Sequence, residues 1–323
     1  MKRDAVPALA PKTFRFTDVD QFRSAVRNLN TEFTPLVRSI SVEQIILNVA
    51  GCDVNFTKSF PRIVDAQLAQ GCTLIGFSMD DGVPMRFNGA ERDHSALMIG
   101  GGGAAYNIVE PVERQYASIV FTPEIVDRGW PEARPVFKAF ETTVEAHHML
   151  RELVRQIINL SPIFGADEAA QASSAIKESL LAGVDAAFAN AVDARWVARA
   201  NSLAQFKIFR GIQAVLSDNI GRPIYSEELA RQVGVSVRTL HDAVKRYRGM
   251  SLHRYLRLRR LWLVRQWLLA GADSVKACAL ACGFWHLGDF ARSYRLQFGE
   301  TPSETLAKAR GRRTDDRPPP AAP

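Results

Sequence analysis

Three hydrophobic rhythms divide this chain. From Phe33 to about Thr122, short runs such as Gln44-Ile45-Ile46-Leu47-Asn48-Val49, Thr73-Leu74-Ile75-Gly76-Phe77-Ser78-Met79 and Tyr116-Ala117-Ser118-Ile119-Val120-Phe121 are separated by Gly, Asp, Asn and Pro. Short strands at this spacing predict a β-barrel or sandwich. The period then changes. Residues 136–160, 167–192 and 195–218 carry apolar residues at helical spacing, broken at Ser161-Pro162 and between Asn190 and Arg195. The third of these helices runs on into a last segment where glycines cut the helical pattern into shorter pieces. The fold class is therefore α+β. A β-rich domain with a helical C-terminal part is expected over 14–200, and an all-α domain over 203–309. Residues 1–13 are expected to be a flexible N-terminus. Residues 310–323, with Arg317-Pro318-Pro319-Pro320, are expected to be a disordered tail.

Two stretches of the last segment share one plan: short helix, turn at glycine, second helix. In the first, Ser226 is read as the N-cap, with Glu227 and Glu228 placing negative charge at the helix start. Leu229, Ala230 and Val233 face inward, Gly234 turns, Val235 packs inward and Ser236 caps the next helix. Leu240 and Val244, four apart, bury that helix. This leaves Arg238, His241, Asp242 and Lys245 on the opposite face, where a helix entering the major groove reads base edges. In the second, Ser274 caps, Val275, Cys278 and Ala279 face inward, and Gly283 turns. Phe284, Phe290 and Tyr294 anchor, and Leu287, Gly288, Ala291 and Arg292 point out. Leu287, Gly288 and Ala291 suit thymine methyls or close backbone approach. Arg292 suits guanine, with a phosphate contact as its other reading. Residues 251–270 read as one helix holding the two units in register. Ser236, Thr239, Arg246, Arg260 and Arg295 are the candidate phosphate contacts.

Charge sharpens this picture. Residues 1–201 carry 20 Lys and Arg against 24 Asp and Glu, or −4, whereas residues 202–313 carry 20 against 8, or +12. A basic third joined to a mildly acidic body fits an electrostatic footprint for phosphates, such as those of double-stranded DNA. The four cysteines, Cys52, Cys72, Cys278 and Cys282, form no Cys-x-x-Cys pair. Cys278 and Cys282 share a helix face and are read as buried apolar residues. No apolar run of about eighteen residues and no signal-like start occur, so a cytoplasmic protein with reduced thiols and no membrane partner is expected. The Gly100-Gly101-Gly102-Gly103 run lacks the Gly-Lys-Ser/Thr of a phosphate loop and precedes a strand-like segment, Ala104 to Val109. It reads as a turn.

Residues 203–309 resemble the DNA-binding domain of the AraC/XylS transcriptional regulators. The likeness rests on Gly283-Phe284, Phe290, Phe298-Gly299, Thr301-Pro302-Ser303 and Arg260-Leu261. The Gly-Phe-Trp-His-Leu-Gly of 283–288 looks most like the subgroup containing the ethanolamine-utilisation regulator. The resemblance implies a cupin-like barrel as the N-terminal domain, and a sequence-specific transcription factor that senses a small-molecule effector, contacts RNA polymerase and pairs as a homodimer through helices between 136 and 200. It also implies that the base-reading positions are those picked from the helix faces. Asp242 departs from the basic or amide residue frequent at its position. It either accepts from a cytosine amino group or pairs with Arg238 or Lys245. Phe56, Phe60, Phe77, Phe87, Tyr106, Tyr116 and Phe121 are enough aromatics to line a pocket or fill a core. No cofactor, metal site or catalytic residue is expected. His94 stands apart in the strand region, and His147 and His148 are adjacent and splay about 100° on a helix. An alkyl-transfer enzyme fused to such a domain would need a Pro-Cys-His-Arg nucleophile motif, which Cys52 and Cys72 do not supply. An effector-independent architectural DNA binder is the remaining alternative.

Overall fold

A computed structural model describes residues 9–49, 51–81, 85–160, 168–189, 191–193, 200–219 and 222–315. The chain divides near residue 199 into two compact units.

The first unit is built of two antiparallel sheets. Its strands are β1 (Lys12–Phe16), β2 (Leu29–Pro35), β3 (Val42–Val49), β4 (Cys52–Ser59), β5 (Arg62–Leu68), β6 (Thr73–Ser78), β7 (Met85–Phe87), β8 (Ala90–Arg92), β9 (Ala96–Gly100), β10 (Ala105–Glu110), β11 (Arg114–Phe121), β12 (Lys138–Glu141) and β13 (Val192–Asp193). One sheet runs β1-β3-β4-β11-β6-β9-β12-β13 and the other β2-β5-β10-β7-β8. The barrel-like layout expected from the strand spacing is thus realised as two separate sheets. Alternation along each strand sends odd and even residues to opposite faces. Ile75, Phe77, Ile119 and Phe121 join a core with Leu150, Val154, Leu180 and Val184 of two helices, α2 (Val144–Leu160) and α3 (Ala169–Ala189). Their neighbours Leu74, Gly76, Ser78, Tyr116, Ser118 and Val120 line a cavity instead. A short helix, α1 (Val19–Ala25), is capped by the Asp18 carboxylate, which accepts from the amides of Asp20 and Gln21.

Four expectations need correction here. Residues 138–141 pair with β9 as a strand and do not extend α2, because Lys138↔Ile99 through Glu141↔Ala96 complete the ladder. Val136, Phe137 and Phe140 imitate a helical stripe, but Phe137 and Phe140 are buried by sheet packing. Ordered structure begins before residue 14: Leu9 is buried and β1 starts at Lys12. Strands also precede Phe33, since β1 and most of β2 lie N-terminal to it. At the other end, the last helix reaches Asp315, so residues 310–315 are not part of a tail. The poly-Pro segment lies outside the described residues. The turn at 100–103 and the strand after it are as read, the strand being β10.

His147 of α2 is 1% exposed, edge-on to Phe77, and its Nε2 has no hydrogen-bond partner among the described residues. Burial, and then Arg151 and His94, push its pKa from 6.5 down to about 4, against the weaker pull of Asp81 and Asp93. The unfolded chain takes up this proton below about 6.5, whereas the folded chain resists until about 4. The stability at stake is present above the upper value and lost as pH falls through the window. The thermal midpoint is therefore expected to drop between those two pH values. His147→Leu should flatten that part of a calorimetric pH profile, and a profile of unchanged slope would show that other groups set it.

The second unit is all-helical: α4 (Ala200–Asp218), α5 (Ser226–Val233), α6 (Val237–Arg248), α7 (Leu252–Leu269), α8 (Val275–Ala281), α9 (Leu287–Phe298) and α10 (Pro302–Asp315). It holds two cores that share α7. Leu252, Tyr255 and Leu256 pack with α4, α5 and α6, while Leu261, Val264 and Leu268 pack with α8, α9 and α10. The single long helix read over 251–270 is therefore the spine of the domain.

Candidate nucleic-acid interface

The first helix pair folds for local reasons visible in the residues. Gly234 adopts φ 75°, and its amide donates to the carbonyls of Ala230 and Arg231, closing α5 in a left-handed cap that L-residues resist. Ser236 Oγ then accepts from the Thr239 amide at 3.1 Å and opens α6. The cap of α5 is Tyr225, not Ser226. Ser226 is already the first helical residue, and Tyr225 gives no side-chain cap bond. The helix start is stabilised instead by Glu228, whose carboxylate accepts from Arg222 Nη2 at 2.6 Å. That hydrogen bond holds the Glu228 pKa below the ordinary carboxylate value.

The second pair repeats the plan. Ser274 Oγ accepts from the Ala277 amide, Gly283 turns at φ 73°, and Phe284 donates its amide back to Ala279. Cys278, Ala279, Phe284, Phe290, Tyr294 and Phe298 are buried together. Both cysteines of this segment pack as apolar residues, and burial pushes the Cys282 thiol up to about 12. Cys52 of the first unit is likewise pushed up to about 12, chiefly by burial. A thiol at that value offers almost no thiolate, so neither suits a nucleophile.

The outward faces carry the sequence-picked side chains. Arg238, His241, Asp242 and Lys245 are all exposed on α6, while Leu240, Ala243 and Val244 are buried on its other side. Asp242 makes no ion pair with Arg238 or Lys245 among the described residues. On α9, Gly288, Arg292 and Arg295 are exposed, and nothing stands within 4 Å of a Cβ placed at Gly288. Ala291 is half-buried. Leu287 is not a freely outward residue: it is half-buried against the second core.

Two of the candidate phosphate contacts are engaged within the protein. Arg246 is half-buried, and its Nη1 donates to Gln205 of α4 at 2.7 Å. Arg260 lies with its guanidinium 5.5 Å from the Tyr225 ring and 5.0 Å from Phe284, and Nη1 donates to the Gly283 carbonyl at 3.3 Å. It clamps the entry to α5 onto the turn before α9, and so ties the two helix pairs together. Ser236 and Thr239 occupy the start of α6, where their hydroxyls bond each other at 2.8 Å.

Sequence reasoning missed two further features. Thr301 and Glu304 form a reciprocal capping box, the Thr301 amide donating to Glu304 at 2.6 Å and the Glu304 amide to Thr301 Oγ1 at 3.2 Å. The Thr-Pro-Ser-Glu spelling, with Pro at the first helical position, carried that signal. Glu300 gathers Arg265 at 2.8 Å, Lys308 at 2.6 Å and the Thr305 hydroxyl, which in turn accepts from Tyr294. Trp285, just before α9, is 73% exposed.

The cavity of the first unit encloses about 90 Å³, and residues of both sheets line it. Of the aromatics picked from sequence, Phe87, Tyr106 and Tyr116 line it, and Phe77, whose ring packs in the core under α2 and α3, borders it. Phe56 and Phe121 belong to the core under α2 and α3, and Phe60 packs on the Arg62 guanidinium.

Among known proteins, the family described as a helix-turn-helix domain matches residues 229–308. A XylDLEGF operon transcriptional activator of Pseudomonas putida is 35% identical over 105 residues, which is 32% of this chain and 33% of that protein. The HTH-type transcriptional activator RhaS of Escherichia fergusonii is 35% identical over 91 residues, 28% of this chain and 33% of its own length. The chain thus spans about a third of the length of these relatives. A solved structure of a probable AraC family transcriptional regulator from Rhodopseudomonas palustris is 41% identical over 32% of this chain and 96% of that one, with a TM-score of 0.29. The paired glycine turns, the matched family and the sequence likeness together make the C-terminal domain of this chain a member of the AraC/XylS family of helix-turn-helix transcriptional regulators.

Proposed function

We propose that this chain is a sequence-specific DNA-binding transcription regulator, in which the state of the first unit changes how residues 203–309 sit on a promoter. One observation carries the reading. The solvent faces of α6 and α9 hold mainly polar and small side chains, with Val237 and Leu296 as exposed apolar residues, while Leu240, Val244, Phe290, Tyr294 and Phe298 are turned inward. Arg238, His241, Asp242 and Lys245 read one major-groove segment. Gly288, Ala291 and Arg292 read another, with Leu287 contributing only its exposed edge. Ser236, Thr239 and Arg295 meet phosphates. The relatives' printed roles as activators support activation, through RNA polymerase, and pairing of two copies through α2 and α3 fits the same plan. The hexapeptide at 283–288 supports a place near the ethanolamine-utilisation subgroup. Among the described residues no helix is long and apolar enough to cross a membrane.

Fluorescence anisotropy of the full chain against duplexes from its own upstream region, with scrambled duplex as control and at two salt concentrations, tests this. Binding to one segment well above the scramble, persisting at the higher salt, is the expected result. Equal, salt-labile binding to every duplex would favour the architectural alternative, since phosphate neutralisation alone is lost with salt. Given an operator, Arg292→Ala and Arg238→Ala should each weaken it by about 1–3 kcal/mol and relax discrimination at one base pair. Neither should lower the thermal midpoint, because neither side chain is buried. Arg260→Ala should lower it, because the clamp between Tyr225 and Phe284 is lost. If Arg292→Ala weakens all sequences alike, Arg292 is a phosphate contact.

A further inference from the structure

The wall of the first unit's cavity is graded. Across the eight-stranded sheet, Gln44, Thr57, Tyr116 and Ser78 stand in one row, paired in register strand by strand. Asn55, Ser118 and Gly76 form the next row, and Val120 and Leu74 the one after. From the other sheet, Arg62 and Glu110 are register partners at one end of the lining. Met85, Phe87, Met98 and Phe137 complete the apolar part. One end is therefore charged and hydroxyl-bearing and the other is hydrocarbon.

Polar atoms of this lining are left over. Thr31 Oγ1, Gln44 Oε1, Thr57 Oγ1 and Arg62 Nη1 are buried with no hydrogen-bond partner among the described residues, and all four residues line the cavity. A buried polar atom without a partner costs about 1–3 kcal/mol. Thr31 stands opposite Ala66, four residues from the partner of Arg62, but Gln44, Thr57 and Arg62 gather around Tyr116 and mark a site that a ligand completes. Each can donate to an oxygen: both hydroxyls rotate freely, and the Gln44 amide, turned by half a revolution, presents its NH₂.

Charge selects among ligands. The lining includes three guanidiniums, Arg27, Arg62 and Arg114, against one carboxylate, Glu110. Glu110 accepts from Arg62 Nε at 2.9 Å and occupies that edge of the guanidinium, leaving Nη1 over. Arg114 donates to Ser78 at 3.3 Å and pairs with Asp80 at 3.8 Å, so the excess positive charge at the cavity rests on Arg62 and Arg27. A polyol would strand hydroxyls against Leu74, Met98 and Phe137. A wholly apolar ligand would leave the orphan atoms as they are.

We propose that this cavity binds a small amphipathic organic anion, with a carboxylate at the Arg62–Thr57–Gln44 end and an apolar body toward Leu74, Met98 and Phe137. The inference rests on the reading of the first unit as a sensor and names the class of molecule sensed. Arg27, the exposed member of the lining, adds to the attraction for an anion approaching from water.

Isothermal titration of the full chain with octanoate and 3-phenylpropanoate, against octan-1-ol and 3-phenylpropan-1-ol, tests the class. The acids should bind at least about tenfold more tightly than the matching alcohols, the size of one hydrogen bond to a charged group. Arg62 also holds Glu110, so its own substitution mixes folding with binding. Thr57→Val removes only an orphan hydroxyl. It should raise the thermal midpoint of the unliganded protein and weaken the acids about tenfold. Alcohols binding as well as acids, no binding of either acid at millimolar concentration, or unchanged acid affinity in Thr57→Val would each overturn the proposal. Operator affinity measured in the same solutions separates this from the sensor reading. If an alcohol binds and shifts operator affinity, the sensor reading stands and the anion class fails. If an acid binds and operator affinity stays put, the anion site stands and the sensor reading fails.

Discussion

Phe290→Ala is expected to destabilise the second helix pair by about 3–5 kcal/mol, the usual cost of deleting a buried ring. Phe290 is 2% exposed and packs against Phe284 at 5.0 Å and Tyr294 at 5.8 Å between ring centroids. Phe284 in turn carries one side of the Arg260 clamp, and Tyr294 donates to Thr305 in the Glu300 network. The loss therefore spreads from the core of α8 and α9 to the contact with Tyr225 and to the start of α10. A domain of this size has a total stability on the order of the loss itself. Hydrogen exchange on the full chain is the measurement. Peptides from 274–309 should lose most of their protection while those from the first unit keep theirs, and operator binding should fall with them. Protection retained in 274–309 would mean that the ring's neighbours close the cavity.

The helix pairs were legible because their signals are local. A glycine in the left-handed region, a serine cap and anchors four residues apart define a turn and two helix faces without any distant partner. The exposed stripe of α6 followed directly. What escaped depends on tertiary contacts. The strand at 138–141 exists because β9 has a free edge, and nothing inside those four residues says so. Buried arginines form the instructive case. Arg248 continues the stripe Leu240, Val244 at the same spacing and is 1% exposed, its guanidinium 4.6 Å from the Phe209 ring and 5.2 Å from Tyr255. Arg260, half-buried, stands between Leu256 and Val264 at the same spacing, and both of these are buried. Reading Arg260 as a phosphate contact from its charge alone leaves this periodicity out. An arginine on the apolar stripe belongs to the core when aromatic rings await it.

The same reasoning gives the second large effect, in the first unit. Arg62 and Glu110 are each 4% exposed and pair at 2.9 Å, and the Arg62 guanidinium lies 5.1–5.7 Å from the rings of Phe22, Phe33, Phe60 and Tyr116. Desolvation opposes the charge on Arg62, but Tyr116 and Glu110 outweigh it and hold the guanidinium protonated more firmly than usual. Glu110→Ala leaves that cation buried without its counter-charge, which is expected to cost about 3–5 kcal/mol. Replacing both partners, Arg62→Met with Glu110→Leu, should cost far less, since two apolar side chains need no compensation in a box of four rings. The order of calorimetric midpoints should therefore be wild type and double variant close together, with Glu110→Ala well below. This order also bears on the cavity. If the pair served stability, evolution had the cheaper apolar solution open to it. A double variant that folds as well as the wild type yet no longer binds octanoate would assign the buried pair to ligand recognition. A double variant that unfolds would assign it to the fold.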